Sequence, residues 1–254
     1  MRGQITAEVL ILFDIDGTLL LTDGAGRTAF RHALQQVYGT TGSLSGYQFH
    51  GKTDPQIVME LMASVGLAVH EVEKRLDELW PLYVRRLALE LDLRRRAGRI
   101  TVLPGVPALL AALERRGDVV LGLLTGNVEP AARLKLAAAG IATAFAVGGF
   151  GSDSPVRAEI ARVAVSRARA VHGGALDAIG IVVVGDTPYD VACARAVGGR
   201  AVAVATGRHT AAELTAAGAD EVFDDFRDTA RVLAGILGAG TSLGDGPLET
   251  TADR

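Results

Sequence analysis

The fold of this chain is decided by the stretch EVLILFDIDGTLL, residues 8–20. Its apolar part, Val9 to Phe13, is short and continuous, which is typical of a strand covered on both faces of a parallel sheet. Two carboxylates, Asp14 and Asp16, follow at once, and ligands of such sheets sit beyond the carboxyl ends of the strands. Because two acids one residue apart repel each other in a partly dry site, the pair favours a bound cation or a shared proton. The stretch predicts a buried strand that delivers two acids to an active site.

Downstream of residue 103, apolar runs of strand length alternate with stretches in which apolar residues recur at helical spacing. The strand-like runs cover residues 119–124, 145–150, 181–184, 201–205 and 221–223. The helix-like stretches cover residues 106–116, 128–139, 156–171, 189–197 and 210–217. This alternation predicts an α/β fold with a doubly wound, Rossmann-like parallel sheet, to which the strand at 9–13 also belongs.

Residues 22–98 follow a different pattern, because they contain no strand-like run and their apolar positions recur at helical spacing. This predicts an α-helical cap domain inserted into an α/β core of residues 1–21 and 99–238. Glycine-bearing segments at 22–26 and 97–105 flank the insert and can absorb a hinge motion. A lid over the carboxylates is therefore expected.

Composition narrows the class of protein. The 254 residues include 26 basic and 29 acidic ones, and the net charge of −3 gives no reason to expect nucleic acid or an anionic membrane as a partner. The single cysteine, Cys193, excludes an internal disulfide and fits a reducing compartment, and no segment reaches the ~20 apolar residues of a membrane helix. We expect a cytoplasmic protein that acts on a small molecule. Residues 239–254 are expected to form a disordered tail, and the oligomeric state is left open.

Three further strands end in polar residues that can converge with the two acids. These residues are Thr125, Gly126 and Asn127 after the strand at 119–124, Arg157 beyond the strand at 145–150, and Asp186 with Asp190 after the strand at 181–184. With DIDGT at 14–18, LLTGN at 123–127 and GDTPYD at 185–190 in this order, the chain resembles the haloacid dehalogenase superfamily. It is most similar to the magnesium-dependent, phosphoglycolate phosphatase-like branch, which has a helical cap inserted after the first strand. The resemblance covers nearly the whole chain, to about Gly238.

The resemblance implies a mechanism for the two acids of the first motif. Asp14 is the nucleophile that attacks phosphorus and forms an aspartyl phosphate. Asp16 protonates the departing alkoxide and then deprotonates the hydrolytic water. Taken alone, the motif has a simpler interpretation, since acids beside glycine often make an Asx turn at a strand end.

The second motif is implied to bind phosphate. Thr125 offers a hydroxyl and Gly126 a backbone amide, and Asn127 can contribute a further donor. The alternative is a polar turn in which Asn127 is the N-cap of the helix at 128–139. One residue can serve both purposes, because a helix N-terminus is itself an anion site.

The fourth motif is implied to bind magnesium. Mg²⁺ prefers oxygen ligands and keeps several waters, and Asp14, Asp186 and the backbone carbonyl of Asp16 would anchor it. Asp190 lies one helical turn beyond Asp186, where it either reaches the metal through water or only orients Asp186 and Arg157. An ordinary acidic helix start is the alternative for Asp190.

One position departs from the family pattern, because the lysine that usually neutralises the nucleophile and phosphate is missing from the third motif. The chain contains only Lys52, Lys74 and Lys135. Arg157, in SDSPVRAEI at 152–160, occupies the right interval and can make a bidentate contact to phosphate, although arginine and lysine are not interchangeable. Lys135 is the second candidate, but its apolar spacing suggests a stem lying along a helix surface.

A few other residues suggest lesser roles. In the cap, HGKTDPQ at 50–56 is a polar turn before a capped helix, and its Lys52 is the candidate for binding the leaving group of the substrate, with Arg27 as the second. The arginines at 94–96 are expected to form a solvated helix end without a site role. Cys193 is expected to be packed as a small hydrophobe.

We therefore predict a phosphomonoester hydrolase that uses Mg²⁺ and acts on a small soluble metabolite, such as phosphoglycolate or a sugar phosphate. A sugar phosphomutase similar to β-phosphoglucomutase and a catalytically silent phosphate-binding protein are the alternatives that stay open. Dehalogenases lack the second carboxylate, whereas Asp16 is present here, and a signalling receiver domain needs no cap. Neither GxGxxG nor GxxxxGK[ST] follows a strand, which disfavours a dinucleotide-binding or P-loop protein.

Overall fold

The chain is built around one parallel sheet in the computed structural model, which describes residues 9–141, 145–172 and 180–238. The strands are β1 Val9–Phe13, β2 Leu20–Leu21, β3 Thr101–Val102, β4 Val119–Leu124, β5 Val147–Gly149, β6 Gly180–Gly185, β7 Arg200–Val204 and β8 Glu221–Phe223. Six of them form the sheet in the order β5-β4-β1-β6-β7-β8, with every neighbouring pair parallel. The predicted doubly wound α/β fold is confirmed.

The helices of the described ranges fall into two groups. Those between β2 and β3 are α1 Ala25–Tyr38, α2 Asp54–Ala63, α3 Val69–Glu73 and α4 Leu76–Arg96. The others follow the strands from β3 onward, one after each, and are α5 Val106–Glu114, α6 Glu129–Ala139, α7 Arg157–His172, α8 Pro188–Ala196, α9 Ala211–Ala216 and α10 Thr229–Leu237. The element order is therefore a helical insert followed by a regular alternation of strand and helix.

The central position of β1 in the sheet explains why its sequence is apolar without interruption. It lies between β4 and β6, and its side chains alternate between the two faces of the sheet. Leu10 and Leu12 pack in one hydrophobic cluster with residues of α7 and α8, whereas Ile11 and Phe13 pack in a second cluster with residues of α5 and α10. Because helices cover both faces, every position from Leu10 onward must be apolar. The acids that follow lie at the carboxyl end of this strand.

The helical insert has a hydrophobic cluster of its own, formed mainly by residues of α1, α2 and α4. At its centre Phe30 of α1 stacks on Tyr83 of α4, with ring centroids 4.2 Å apart. Val128 and Ala131, beside and within α6, join the same cluster, so the insert rests on the core next to the predicted site. We infer from this separate cluster that residues 22–98 fold as the cap.

The two connections between core and insert are joined to each other. β2 and β3 pair as a two-residue antiparallel ribbon, which was not predicted because two residues carry no periodicity. Arg94 is not the solvated residue that the sequence suggested, and this expectation is wrong. Its side chain forms an ion pair with buried Glu90 and donates from Nε to the backbone oxygen of Asp23 at 2.9 Å. The end of α4 is thereby fixed to the first connection.

Two expectations concern the chain ends and the membrane. No helix in the ranges given above is both long and apolar enough to cross a membrane. The tail predicted at residues 239–254 lies outside the described residues.

Candidate active site

Asp14 and Asp16 line a cavity of about 510 Å³ that lies between the carboxyl ends of the strands and the helical insert. Its core side includes Asp14, Asp16, Thr125, Asn127, Lys135, Arg157 and Arg208. Its cap side includes Arg27, Phe30, Tyr47, Phe49, Lys52, Asp54 and Tyr83. All predicted site residues except Asp186 and Asp190 therefore line one cavity, and a carboxylate oxygen of each of those two lies within 4.8 Å of one on Asp14.

Three buried carboxylates form a cluster that could hold a cation. Asp14, Asp186 and Asp190 each offer an oxygen, and these oxygens lie within 4.8 Å of one another. Burial raises the pKa of Asp14 to about 7. The positive charge of Arg157 opposes this shift, and the negative charges of Asp190 and Asp16 add to it. Burial also raises the pKa of Asp186 well above its ordinary value, with Asp190 and Asp14 contributing. Crowded acids of this kind are stabilised in their charged form by a bound cation.

The surroundings of Asp186 fit a cation better than a structural role. Its Oδ1 accepts a hydrogen bond from the Thr18 hydroxyl at 3.2 Å, but its buried Oδ2 has no partner among the described residues. A Cβ on Gly17 would lie 2.4 Å from that oxygen, and one on Gly207 only 1.7 Å. Gly17 also has a φ of +90°, which favours glycine. Two glycines thus let the backbone close around a carboxylate oxygen that has no hydrogen-bond partner among the described residues.

Arg157 lies beside the first acid, at the start of α7. Its Nη2 is 3.6 Å from Oδ2 of Asp14 and forms an ion pair with Oδ1 of Asp190. The other oxygen of Asp190 accepts hydrogen bonds from the backbone amide and the hydroxyl of Thr187, at 3.0 and 2.7 Å. Because both oxygens of Asp190 are already bonded, this acid holds Arg157 against Asp14.

Lys135 is buried in the site, and the expectation of a stem along a helix surface is wrong. Its Nζ lies 2.5 Å from Oδ2 of Asp16 and 2.7 Å from Oδ1 of Asn127. Helical side chains point toward the N-terminus of their helix, so a lysine in the second turn of α6 reaches the polar residues that precede it. The apolar spacing around Lys135 reflects the contact of α6 with the cap cluster, not a solvent-facing surface.

Asn127 fixes the second acid and is not a helix cap. Helix α6 begins at Glu129, and its N-cap residue is Val128, so the N-cap interpretation of Asn127 is wrong. The Nδ2 of Asn127 donates to Oδ2 of Asp16 and to the Thr125 hydroxyl, both at 2.8 Å. Since Lys135 donates to Oδ1, the orientation of the amide follows from the network. The Thr125 oxygen accepts from Asn127, which leaves its own proton available for a ligand.

The cap contacts the core through the turn at residues 51–54. The Asp54 amide donates to the backbone oxygen of Gly126 at 2.7 Å, and Oδ2 of Asp54 accepts from the Val128 amide at 2.8 Å. A Cβ on Gly126 would lie 2.3 Å from the backbone oxygen of Lys52. Thr53 is the N-cap of α2, as expected, but its hydroxyl also donates to the backbone oxygen of Pro155 at 3.0 Å. The turn therefore touches both loops that carry predicted phosphate-binding residues.

Lys52, the predicted cap residue, lines the cavity, but its charge is already paired. Its ammonium forms an ion pair with Glu60 and lies 3.3 Å from the Tyr47 hydroxyl and 4.4 Å from the centre of that ring. Arg27, the second candidate, also lines the cavity and donates to the backbone oxygen of Tyr47 at 3.0 Å. No ion pair of Arg27 with an acid occurs within the described ranges.

Cys193 is a packed hydrophobe, as expected. It is buried in the hydrophobic cluster that contains Leu10 and Leu12, and burial raises the pKa of its thiol to about 11. The thiol therefore stays protonated at neutral pH, which is unsuitable for a nucleophile.

Asp54, Tyr83 and Arg208 are among the cavity residues that sequence reasoning missed. Asp54 was interpreted only as part of a helix start, and the chain carries no local signal for its contact with Val128. Tyr83 belongs to the apolar spacing of α4, where an aromatic residue usually indicates core. Arg208 follows β7 and donates to Oε1 of Gln48 in the cap at 2.7 Å. Its place shortly after the end of β7 was the signal that could have pointed to Arg208.

We expect Asp54→Ala to destabilise the protein at pH 6, where the carboxyl is mostly neutral because burial raises its pKa to about 7. The variant leaves the buried Val128 amide without an acceptor, which costs about 1–3 kcal/mol in the free energy of unfolding. Urea unfolding measures the change. Asp54→Asn is the matched control, since its amide oxygen can still accept this bond. Equal stability of the alanine and asparagine variants would contradict the contact.

The fold and the site together define a class of protein. A doubly wound sheet with a helical insert after the first strand carries acids and a hydroxyl at the carboxyl ends of its strands, with the buried side chains of Arg157 and Lys135 beside them. A family model of haloacid dehalogenase-like hydrolases matches residues 11–195. The chain belongs to this family, and the predicted family and hydrolase class are thereby confirmed.

Individual relatives agree with this assignment. The probable phosphatase IndB of Dickeya dadantii is 27% identical over 240 residues, which cover 90% of this chain and 94% of that protein. The phosphoglycolate phosphatase of Rhodospirillum rubrum is 28% identical over 250 residues, which cover 93% and 95%. Among solved structures, CbbY from Rhodobacter sphaeroides in complex with phosphate matches with a TM-score of 0.65 and 20% identity, covering 91% of this chain and 100% of that one. That structural likeness supports the fold.

Proposed function

We propose that this hydrolase is a metal-dependent phosphatase that releases phosphate from small phosphomonoesters through an aspartyl phosphate on Asp14. The observation that carries the proposal is the surroundings of this acid. Asp14 is buried at the cavity, with Arg157 3.6 Å away, and Asp16 two residues on is bonded to Lys135 and Asn127. A nucleophile with a cation beside it and an oriented second acid is what phosphoryl transfer to a carboxylate requires.

The two acids divide the reaction between them. In the first half, a carboxylate oxygen of Asp14 forms a bond to phosphorus while the ester bond breaks, and Asp16 gives its proton to the departing alkoxide. In the second half, Asp16 takes a proton from water as the water oxygen bonds to phosphorus. The bond between phosphorus and Asp14 then breaks, which regenerates the carboxylate and releases phosphate. Lys135 and Asn127 hold the Asp16 carboxyl in one orientation for both proton transfers.

We propose Mg²⁺ as the metal, bound by Asp14, Asp186 and the backbone carbonyl of Asp16. The free Oδ2 of Asp186 and the raised pKa of the acids support a cation here. When bound, Mg²⁺ would offset the charge of the phosphate and of the clustered carboxylates. We assign Asp190 to positioning Arg157, because both of its oxygens are already bonded.

Fewer residues are assigned to phosphate binding than the resemblance implied. We propose the Thr125 hydroxyl, the Gly126 amide and Arg157 as the phosphate-binding groups. Asn127 is bonded to Asp16, Thr125 and Lys135, and we therefore assign it to orienting Asp16. Arg157 takes the place of the missing lysine as the cation beside Asp14. Lys135 instead holds the Asp16 carboxyl in position.

The cap completes the substrate site. Its turn at residues 51–54 contacts the Thr125 loop, so we propose that the cap closes over the bound ester and excludes water from the first half-reaction. The substrate is a small phosphorylated metabolite, of the size of phosphoglycolate or a sugar phosphate, and the cap residues, Lys52 and Arg27 among them, contact its leaving group. We propose a cytoplasmic enzyme with no nucleic-acid or membrane partner.

Phosphate release from a panel of small esters tests the proposal. We expect release in Mg²⁺ and its loss in EDTA, with recovery when Mg²⁺ is restored. Isomerisation of a sugar phosphate without release of phosphate would favour a phosphomutase. Binding of phosphate without turnover of any ester would favour a silent binding protein.

We also expect the metal to stabilise the protein more at high pH than at low pH. The folded pKa of Asp14, about 7, exceeds the ordinary 3.8, so without metal the folded state binds the extra proton and its stability falls as pH rises through 7. Mg²⁺ binds the deprotonated carboxylates. Thermal unfolding at pH 5 and pH 8 measures both effects, with Asp14→Asn as a control that lacks the titration of residue 14. An increase in Tm by Mg²⁺ that is equal at both pH values would contradict this account.

A further inference from the structure

Tyr83 carries a buried polar group for which the mechanism above has no use. The side chain lies on α4 of the cap, is fully buried, and borders the cavity. Its hydroxyl has no hydrogen-bond partner within the part of the chain that the structure describes. A buried hydroxyl without a partner costs free energy, so a binding partner outside the protein is the natural explanation.

The Tyr83 hydroxyl and the Lys135 ammonium both lie near Gly26. A Cβ built on Gly26 of α1 would have the Tyr83 hydroxyl oxygen at 3.8 Å and Nζ of Lys135 at 3.9 Å as its nearest neighbours. The two donors therefore flank one small space, which exists because residue 26 has no side chain. Lys135 also holds Asp16, the proposed acid for the leaving group.

Both groups have a proton to donate into that space. Two of the three donors of the Lys135 ammonium are used by Asp16 and Asn127, and one remains. Burial, with Asp54 and Asp16 contributing, holds the pKa of Tyr83 well above its ordinary value, so its hydroxyl keeps the proton. Two converging donors select an oxygen acceptor, and one cationic donor favours an anionic acceptor over a neutral one.

We propose that Tyr83, together with Lys135, binds an oxygen on the second carbon of the leaving group and makes the enzyme selective for esters that carry one. This inference rests on the proposed phosphatase function and names its substrate class. The acceptor is a carboxylate, as in a phosphorylated 2-hydroxy acid, or the hydroxyl of a vicinal diol. An ester with only carbon at this position leaves both donors unpaired and is disfavoured.

Three two-carbon esters test the inference because they differ only at that atom. Ethyl phosphate has no acceptor, 2-hydroxyethyl phosphate has a hydroxyl, and phosphoglycolate has a carboxylate. For the wild-type protein we expect kcat/KM to rise in this order. For Tyr83→Phe, which keeps the stacking on Phe30, we expect phosphoglycolate to lose about 10- to 100-fold, the hydroxyl ester about 2- to 10-fold, and ethyl phosphate almost nothing.

Tyr38→Phe is the matched control. The Tyr38 hydroxyl also lies in the cap, but it donates to the backbone oxygen of Val72 at 2.8 Å and does not border the cavity. This variant should leave the order of the three esters unchanged. A Tyr83→Phe variant that keeps the wild-type preference, or that loses all three esters equally, would overturn the inference.

The outcome also separates this inference from the proposed function. A wild-type protein that hydrolyses all three esters with equal kcat/KM remains a phosphatase and overturns only the role of Tyr83. A wild-type protein that releases phosphate from larger esters of the panel but from none of these three also overturns only the role of Tyr83. Release from no ester of the panel, with Mg²⁺ present, overturns both.

Discussion

Asp14→Asn is expected to lower kcat by about 10⁴-fold or more, because the amide cannot form the aspartyl phosphate. Its fold should persist, since asparagine has nearly the same shape. Without metal the variant should even be more stable than the wild type at pH 8, because burial raises the pKa of Asp14 to about 7 and the charged form is disfavoured there. Phosphate release and thermal unfolding measure the two effects separately.

The control for this variant is Asp77→Asn, which makes the same chemical change at an exposed residue of α4 outside the cavity. It should leave kcat and pH dependence unchanged. Residual turnover of Asp14→Asn near the wild-type value would overturn the role of Asp14 as nucleophile. A cooperative fold lost in the variant would instead show that Asp14 is structurally required.

Arg157→Ala is expected to have the second largest effect, on both stability and turnover. The variant leaves the buried carboxylates of Asp14 and Asp190 without their cation, and removal of one partner from a buried ion pair costs about 3–5 kcal/mol. It also removes a positively charged donor beside the transferring phosphoryl group, which costs about 10²- to 10³-fold in kcat. Urea unfolding in EDTA and phosphate release in Mg²⁺ measure the two losses.

Two variants show whether charge or shape matters at this position. Arg157→Lys should keep part of both properties, because it keeps the charge but loses the planar, two-donor contact. Arg162→Ala is the control on the same helix, where an exposed ion pair with Glu159 should contribute at most about 1 kcal/mol. If Arg157→Ala kept full activity, the cation beside the nucleophile would have to come from elsewhere.

The sheet could be predicted from the sequence because its signals are local. The run at 9–13 and the alternation after residue 103 fix strands and helices by their own periodicity, and β1, β4 and β8 have the predicted bounds. The ribbon of β2 and β3 could not be predicted, since each strand has two residues and pairs with a partner about 80 positions away. The carboxyl ends of parallel strands lie at the same edge of the sheet. This rule correctly predicted one shared edge for Asp14, Thr125, Arg157 and Asp186.

The parts of the site that sequence reasoning missed depend on tertiary contacts between residues far apart in the chain. The interpretation of Lys135 as an apolar-face residue used its neighbours in α6, whereas its partner Asp16 lies 119 positions away. Asp54 likewise looked like a helix start, and its bond to Val128 arises only because the cap turn lies on the Thr125 loop. Tyr83 has the spacing of a core residue, and its ring is indeed part of the core. Its hydroxyl, which has no partner among the described residues, could not be predicted from that spacing. Such roles follow from tertiary packing and leave no local pattern.

Trapping a bond between phosphorus and Asp14 is the sharpest test of the proposed mechanism. Asp16→Asn should be mixed with p-nitrophenyl phosphate and Mg²⁺, since this leaving group departs without a proton while hydrolysis of the intermediate is slowed. Borohydride then reduces the acyl phosphate, and mass spectrometry of the digested protein locates the product. We predict homoserine at position 14, absent without substrate and in Asp14→Asn. Release of p-nitrophenol with Asp14 unmodified, or reduction at another acid such as Asp186, would contradict the account.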